Sequence, residues 1–184
     1  IIDYANTNLR SDFMDVYLGA KCSFCISTSF GFDGIPYIFR RPIALFYLPF
    51  GDIPSFSDKF LIMTKHFVLK KEKRKLSLSE IFSHGVAYVI DSKIYEQKGI
   101  ELVNNTPDEI KDLVVEMAED LEFKKQLSPE DIKLQNTFKS LFVSNIKRFD
   151  HRNEPHYSAY NKLHGQIRSR FSTKFLRNNK HWLR

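Results

Sequence analysis

The sequence predicts a parallel α/β fold, a Rossmann-like sheet with extra helices at its C-terminal end. In the first third of the chain, apolar strand-like runs alternate with a glycine-bearing turn and short helical segments, which is the pattern of βαβ units. Two amphipathic helices with N-capping signals follow at Thr106 and Ser128. With 184 residues, 42% of them hydrophobic, the chain can bury a core of its own.

The first third contains the elements that build the predicted sheet. We expect strands over residues 1–5, 22–28 and 43–48, a helix over residues 12–19 and a short helix from Gly31 toward Phe39. The apolar residues at helical spacing in the first helix are Phe13, Val16, Tyr17 and Leu18. A strand at Ile1 without preceding turn or capping residues is typical of a fragment. We therefore expect the N-terminal half of the protein upstream.

The rest of the chain continues the alternation and ends in helices. Strands are predicted over residues 60–68 and 86–90, and between them a capping box at Ser77 opens a helix that Gly85 ends. Further helices are expected from Pro107 to about Leu121 and over residues 129–143. After a polar loop over residues 151–160, one or two basic amphipathic helices are expected over residues 163–183. We divide the chain into a ligand-binding domain, residues 1–145, and a basic helical segment, residues 146–184.

The net charge of +6 is unevenly distributed along the chain. The residues from Lys139 onward sum to +9 and those before it to −3. Such a tail suits a polyanion, a phosphate-bearing ligand, an anionic membrane surface or an acidic partner domain, and charge alone does not choose among them. Phe171, Phe175 and Trp182 recur at helical spacing as a core face does, whereas a nucleic-acid binder would expose such aromatics among its cations. We expect no nucleic-acid partner.

The cysteine content and hydropathy indicate a cytoplasmic protein. Cys22 and Cys25 are the only cysteines, and no second Cys or Cys/His pair follows at the spacing of a zinc site. We expect buried structural thiols and no metal. No uncharged apolar run approaches the ~18 residues of a spanning helix, and no signal-peptide pattern opens the chain.

The predicted turn after the second strand is the best candidate for a ligand site. Its hydroxyls and Gly31 lie where a strand passes into a helix, so unpaired backbone N–H groups and the positive end of a helix dipole would face a diphosphate. Thr28 and Ser29 would donate hydroxyl hydrogen bonds, and Gly31 would allow close backbone approach. Generic strand–turn–helix junctions share these features, so the pattern alone does not establish the site.

Arg10 and Asp33 each have two alternative roles, and His66 is assigned one. The guanidinium of Arg10 either binds the diphosphate or pairs with Asp12 or Asp15. Asp33 either accepts hydrogen bonds from sugar or ribose hydroxyls or caps the helix that follows. His66 is interpreted as a structural residue that ends a strand.

The chain resembles a group of glycosyltransferases from bacterial surface-carbohydrate gene clusters. The resemblance lies in motifs spread along the chain, namely residues 4–5, 9–16, 24–28, 31–33, 35–36, 40–42, 175–179 and 182–183. The turn is also similar in spacing to that of lipopolysaccharide heptosyltransferases, although Gly34 stands where those enzymes usually have a His.

The resemblance implies the C-terminal, donor-binding half of a GT-B fold. It also implies a nucleoside-diphosphate sugar as donor, a glycan or glycolipid acceptor, and no essential metal or other cofactor; no Asp-x-Asp pair occurs in the sequence. The donor would be held by the segment from Thr28 to Asp33, which includes Phe30 and Phe32. The catalytic base is expected on the missing N-terminal domain, and peripheral contact with the inner membrane face is possible for an enzyme of this kind. The alternatives are a sugar-nucleotide epimerase of the same fold and a basic module that binds polyanions or membrane surfaces.

Overall fold

The core of the computed structural model is a four-stranded parallel sheet. The structure describes residues 2–29, 31–48, 57–89, 91–123, 126–148 and 167–184. The sheet contains, in spatial order, β1 (Cys25–Ser27), β2 (Ile43–Leu48), β3 (Phe60–Thr64) and β7 (Arg170–Phe171). All three pairings are parallel, which confirms the predicted parallel α/β class. Every residue of β3 is buried, as is usual for a central parallel strand.

A second sheet is antiparallel and has the order β5 (Arg74–Lys75), β4 (His66–Leu69), β6 (Ile100–Val103). The predicted continuous strand over residues 60–68 is therefore wrong, because the chain leaves one sheet and enters the other at Lys65. The Lys65 amide donates to the Leu48 carbonyl at 2.8 Å, at the end of the β2–β3 pairing. One residue later, His66 pairs with Val103 in the second sheet.

Seven helices accompany the sheets in the described residues: α1 (Asp12–Lys21), α2 (Gly34–Ile38), α3 (Leu78–Ser83), α4 (Ser92–Gln97), α5 (Pro107–Phe123), α6 (Pro129–Arg148) and α7 (Thr173–Asn178). The predicted caps are confirmed where the signals are local. Ser11 accepts from the Met14 amide, and Ser77 forms a reciprocal capping box with Glu80. Thr106 accepts from the Glu109 amide at 3.2 Å.

The N-terminal region differs from the prediction in two ways. Residues 4–6 form a 3-10 turn instead of a strand. In addition, α1 continues past Gly19 to Lys21, and its apolar residues stay exposed, with Phe13 at 72%. The helix contacts α2 through its glycine instead: a Cβ at Gly19 would lie 2.7 Å from Cγ2 of Ile35. The close approach of the Gly19 backbone to the side chains of Ile35 and Pro36, not the aromatic face, decides how α1 packs.

The strand predicted over residues 86–90 is also wrong for its described part, residues 86–89. Residues 86–89 are buried, but their backbone forms a turn and not an extended strand. The Tyr95 hydroxyl lies 3.3 Å from the Val86 carbonyl and 2.6 Å from the Val89 carbonyl. A side chain thus satisfies carbonyl groups that a strand would pair with a neighbouring strand.

The C-terminal segment is not purely helical as predicted. Arg170 and Phe171 form strand β7 beside β3, and α7 follows directly and packs against α5 and α6. The predicted apolar face of this segment does lie in the core, since Ile167, Phe171, Phe175, Leu176 and Trp182 are all buried. The division of the chain at residue 146 stays a prediction, and the predicted loop over residues 151–160 lies outside the described residues.

Candidate functional site

The turn after β1 lies at the carboxyl edge of the parallel sheet, because β1 runs parallel to β2. Ser29, Gly31 and Phe32 are exposed there, and Thr28 and Asp33 are half-buried. Phe30 lies outside the described residues. Five of the six predicted residues of this segment are thus described, and they lie at the edge where ligands bind in open α/β sheets.

Helix α2 begins at Gly34 and not at Gly31, which corrects the predicted helix start. The Gly31 amide donates to Asp33 Oδ1 at 3.0 Å, and the Ser29 amide donates to Ser27 Oγ at 3.0 Å. Asp33 occupies the N-cap position of α2, but its side chain makes no capping hydrogen bond. The Asp33 carboxylate therefore accepts the hydrogen bond of the Gly31 amide, one of the backbone groups expected to face a phosphate.

The backbone of this turn is strained and accessible. Ser29 has φ +67° and Gly31 has φ +102°, both in the left-handed region that side chains disfavour. A Cβ at Gly31 or Gly34 would meet no atom within 4 Å. Open space above both glycines leaves room for a ligand to approach the backbone.

Arg10 is exposed and directly precedes the Ser11 cap of α1. Within the described part of the chain, which contains Asp12 and Asp15, Arg10 forms no ion pair with either carboxylate. The alternative of a surface pair is thus not present, and binding of a diphosphate by Arg10 stays a prediction.

The second strand–helix junction at this edge, between β7 and α7, is already filled. Glu116 of α5 accepts from the Thr173 amide at 2.9 Å and from the Ser172 hydroxyl at 3.0 Å. A carboxylate of the chain itself thus sits where an anion would bind. Of these two junctions, only the turn after β1 is open to an external anion.

The carboxyl ends of β2 and β3 are joined by one buried amide. Asn105 Oδ1 accepts from the Tyr47 amide at 3.2 Å, and Asn105 Nδ2 donates to the Thr64 carbonyl at 2.8 Å. Tyr47 has φ +57° and lies where the β2–β3 register shifts between Leu45 and Leu48. Sequence reasoning missed Asn105, because its partners are 58 and 41 residues away and no local pattern connects them.

The buried side chain of His66 pairs with the partly buried carboxylate of Glu109. The His66 Nε2 atom lies 2.8 and 3.1 Å from the two Glu109 oxygens, and the ring stacks on Phe175 at 5.6 Å. Burial of Glu109 opposes ionisation, but hydrogen bonds from His66 and the Thr106 amide, with the nearby Lys75 charge, lower the pKa of Glu109 to about 2. These contacts agree with the interpretation of His66 as a structural residue.

The cations of the C-terminal segment pair with carboxylates of α5 and α6. Lys174 lies 2.7 Å from Asp112, and Arg177 forms a bidentate pair with Asp131. The other pairs are Arg170 with Asp120, Arg170 with Glu116 at 3.4 Å, and Lys180 with Glu130 at 3.4 Å. Much of the local positive charge is thus met within the chain, which leaves it less available to an external polyanion.

The two cysteines are free, and the prediction that their thiols are buried is only partly met, because both residues are half-buried. The Cys25 thiol contacts the Ile26 carbonyl at 3.7 Å, and burial raises the pKa of Cys25 to about 11. Across the described ranges, no three His, Cys, Asp or Glu side chains come together as metal ligands.

No helix in the described part of the chain is long and apolar enough to cross a bilayer. Comparison of the chain with protein-family models, with curated proteins and with solved structures finds no match. The class that the structure defines is an α/β protein with a parallel sheet and an open turn at its carboxyl edge.

Proposed function

We propose that this chain is the donor-binding half of a GT-B glycosyltransferase that moves a sugar from a nucleoside diphosphate to a surface polysaccharide or glycolipid. The observation that carries the proposal is the open, strained turn from Thr28 to Asp33 at the carboxyl edge of the parallel sheet. The resemblance of the sequence motifs to glycosyltransferases of surface-carbohydrate clusters supports the same activity. A cytoplasmic location, where such donors are made, belongs to the proposal.

In this proposal the turn binds the diphosphate through backbone and hydroxyl groups. The Thr28 and Ser29 hydroxyls donate to phosphate oxygens, and the Gly31 amide exchanges the Asp33 carboxylate for a phosphate oxygen. Asp33 is then released to accept hydrogen bonds from sugar or ribose hydroxyls. Arg10, which has no acidic partner among the described residues, adds a charge-assisted contact.

The catalytic base is proposed on a facing N-terminal domain, together with most acceptor contacts. In a two-domain enzyme the reacting groups meet in the cleft, so these 184 residues would bind nucleotide without transferring sugar. No residue of this chain is assigned as catalytic, and the donor is a substrate and not a resident cofactor.

The two alternatives make different demands on the chain. A sugar-nucleotide epimerase needs acidic and basic groups around the sugar; Asp33 is the only titratable residue within the turn from Thr28 to Asp33. A polyanion-binding module needs free cations, whereas four cations of the C-terminal segment pair with α5 and α6.

Calorimetry with UDP, GDP, CMP and ADP sugars tests the proposal, with Gly31→Ala and Gly34→Ala as matched variants. Both glycines face open space, but only Gly31 has a positive φ. Alanine at position 31 should distort the turn and weaken nucleotide binding at least tenfold, and alanine at position 34 should change it little. Circular dichroism checks that both variants fold. No binding of any of these nucleotides at millimolar concentration would contradict the proposal, and steep loss of binding with salt would favour the polyanion alternative.

A further inference from the structure

Helix α1 presents an apolar face to solvent. Of the seventeen large apolar side chains that are exposed in the described part of the chain, eleven precede residue 40. Three of them lie three and four residues apart on α1 and so share one side of the helix: Phe13, Val16 and Tyr17, which are 72%, 44% and 46% exposed. The rings of Phe13 and Tyr17 stack at 5.9 Å. With Ala20, one turn further on, these residues form what we call the α1 face.

A different side of α1 packs against the rest of the chain. Gly19 approaches Ile35 of α2, and helical spacing puts Gly19 about 120° around the helix axis from Phe13. Apolar surface left in water costs about 25 cal/mol per Å² relative to buried surface. A contiguous exposed apolar face of this kind is typical of a contact with another molecule.

The side chains of the α1 face have the spacing and the sizes that suit a pair of antiparallel helices. Phe13, Val16 and Ala20 follow each other at intervals of three and four residues, as in the seam between two packed helices. If two copies pair about a point between Val16 and Tyr17, Phe13 of each copy lies opposite Ala20 of the other. A large side chain then meets a small one at both ends of the contact. In a parallel pair, Phe13 would oppose Phe13 and Ala20 would oppose Ala20.

The charges at the two ends of α1 favour the same orientation. Asp12 and Asp15 lie in the first turn and Lys21 in the last. The guanidinium of Arg41 adds positive charge at the C-terminal end, where its Nε donates to a carbonyl of the last turn at 2.6 Å. The N-terminal end stays net negative even with Arg10 just before the helix. An antiparallel pair places each acidic end beside the basic end of the other copy, whereas a parallel pair brings like charges together.

We propose that the α1 face binds the α1 face of a second copy of this chain, with the two helices antiparallel. Both the shape and the charge of the face are self-complementary, as a two-fold symmetric contact requires. An anionic membrane surface would instead repel Asp12 and Asp15. One helix pair is a small interface, so we expect a reversible dimer in the micromolar range. The inference goes beyond the proposed function and does not rest on it, because no nucleotide takes part in the contact.

Analytical ultracentrifugation of the 184-residue chain between about 5 and 500 μM tests the dimer. Phe13→Ser should weaken dimerisation at least tenfold, because it removes a large apolar side chain from both ends of the contact. Phe123→Ser is the matched control. Phe123 is similarly exposed, at 66%, but ends α5, and its replacement should leave the dimer dissociation constant unchanged. Circular dichroism checks that both variants fold.

A charge exchange tests the antiparallel orientation separately. Lys21→Glu should weaken the dimer severalfold, since it places an acidic residue beside Asp12 and Asp15 of the other copy. Adding Asp12→Lys to the same chain should recover most of the loss, because a symmetric contact then regains opposite charges at both ends. Lys98→Glu, at the exposed C-terminal end of α4, is the control and should have no effect.

Three results would overturn the inference. The first is a single monomeric species at about 500 μM, whether or not the chain binds phosphatidylglycerol vesicles through Phe13; such vesicle binding would assign the face to a membrane. The second is a dimer that Phe13→Ser leaves unchanged. The third is a dimer that Lys21→Glu does not weaken or that Asp12→Lys does not recover, and this result decides the matter if Phe13→Ser fails to fold. Nucleotide binding by calorimetry is a separate measurement, so the proposed function stands or falls independently.

Discussion

Gln135 closes one edge of the parallel sheet at Phe171. The Gln135 Nε2 atom donates to the Phe171 carbonyl at 2.7 Å, and the Phe171 amide donates to Gln135 Oε1 at 3.2 Å. Both residues are buried. One side-chain amide of α6 thus does what a neighbouring strand would do, and it holds the two-residue strand β7 between β3 and the helix.

Replacement of Gln135 by Leu should destabilise the protein by about 2–4 kcal/mol, because it leaves a buried amide and a buried carbonyl without partners. Urea unfolding followed by circular dichroism measures the free energy of unfolding. Asn136→Leu, at the exposed neighbouring position of α6, is the control and should change it by less than about 0.5 kcal/mol. Equal effects of the two substitutions would show that the Gln135 bonds contribute nothing.

The ion pair between Arg177 and Asp131 should contribute more to stability than the pair between Lys180 and Glu130. Arg177 bonds both Asp131 oxygens, at 2.7 and 2.6 Å, and Asp131 is only 6% exposed. The Lys180–Glu130 pair spans 3.4 Å with both side chains 65% exposed. Double-mutant cycles should give a coupling energy of about 1 kcal/mol for the first pair and near zero for the second. Similar coupling energies would mean that burial of Asp131 does not matter.

The Glu109–His66 pair predicts a loss of stability in acid. The folded-state pKa of Glu109, about 2, lies below its ordinary value of 4.5. The contribution of the ionised carboxylate is therefore complete above pH 4.5 and is lost as the pH falls from 4.5 toward 2. Over that range the wild-type protein should lose up to about 3 kcal/mol more than Glu109→Gln. Glu101→Gln, at an exposed carboxylate of β6, should follow the wild-type pH dependence, and a Glu109→Gln curve parallel to the wild type would contradict the assignment.

Gly19→Ala should separate α1 from α2. A Cβ at Gly19 would lie 2.7 Å from Ile35 Cγ2 and 3.3 Å from the Pro36 ring, so the overlap should cost about 1–3 kcal/mol despite the higher helix propensity of alanine. Thermal unfolding measures the change. Ile35→Ala should recover part of the loss in the double variant, because it removes the overlapping methyl group. Gly34→Ala meets no atom within 4 Å and is the control. Equal melting temperatures of Gly19→Ala and the wild type would mean that the two helices do not pack as described.

Signals that act within a few residues predicted their elements correctly. Ser77 and Glu80 form the capping box that their spacing indicates, and Thr106 caps α5. The apolar run over residues 43–48 forms β2 with the predicted bounds. In the candidate site, the sequence located the turn after β1 but not Asn105. Hydroxyls and a glycine are visible in a short segment, whereas the partners of Asn105 are 58 and 41 residues away in the chain and are known only from the fold.

The sequence by itself determined the alternation of strands and helices, the caps, and which C-terminal residues are apolar enough to enter the core. Tertiary structure decided which sheet each strand joins, because pairing partners are distant in the chain: residues 66–69 pair with β6 and Phe171 pairs with Ile62. Tertiary structure also decided which carboxylates the C-terminal cations pair with. The basic residues of the C-terminal segment meet carboxylates 46–62 positions earlier, and no local pattern can report a contact that folding creates over that distance.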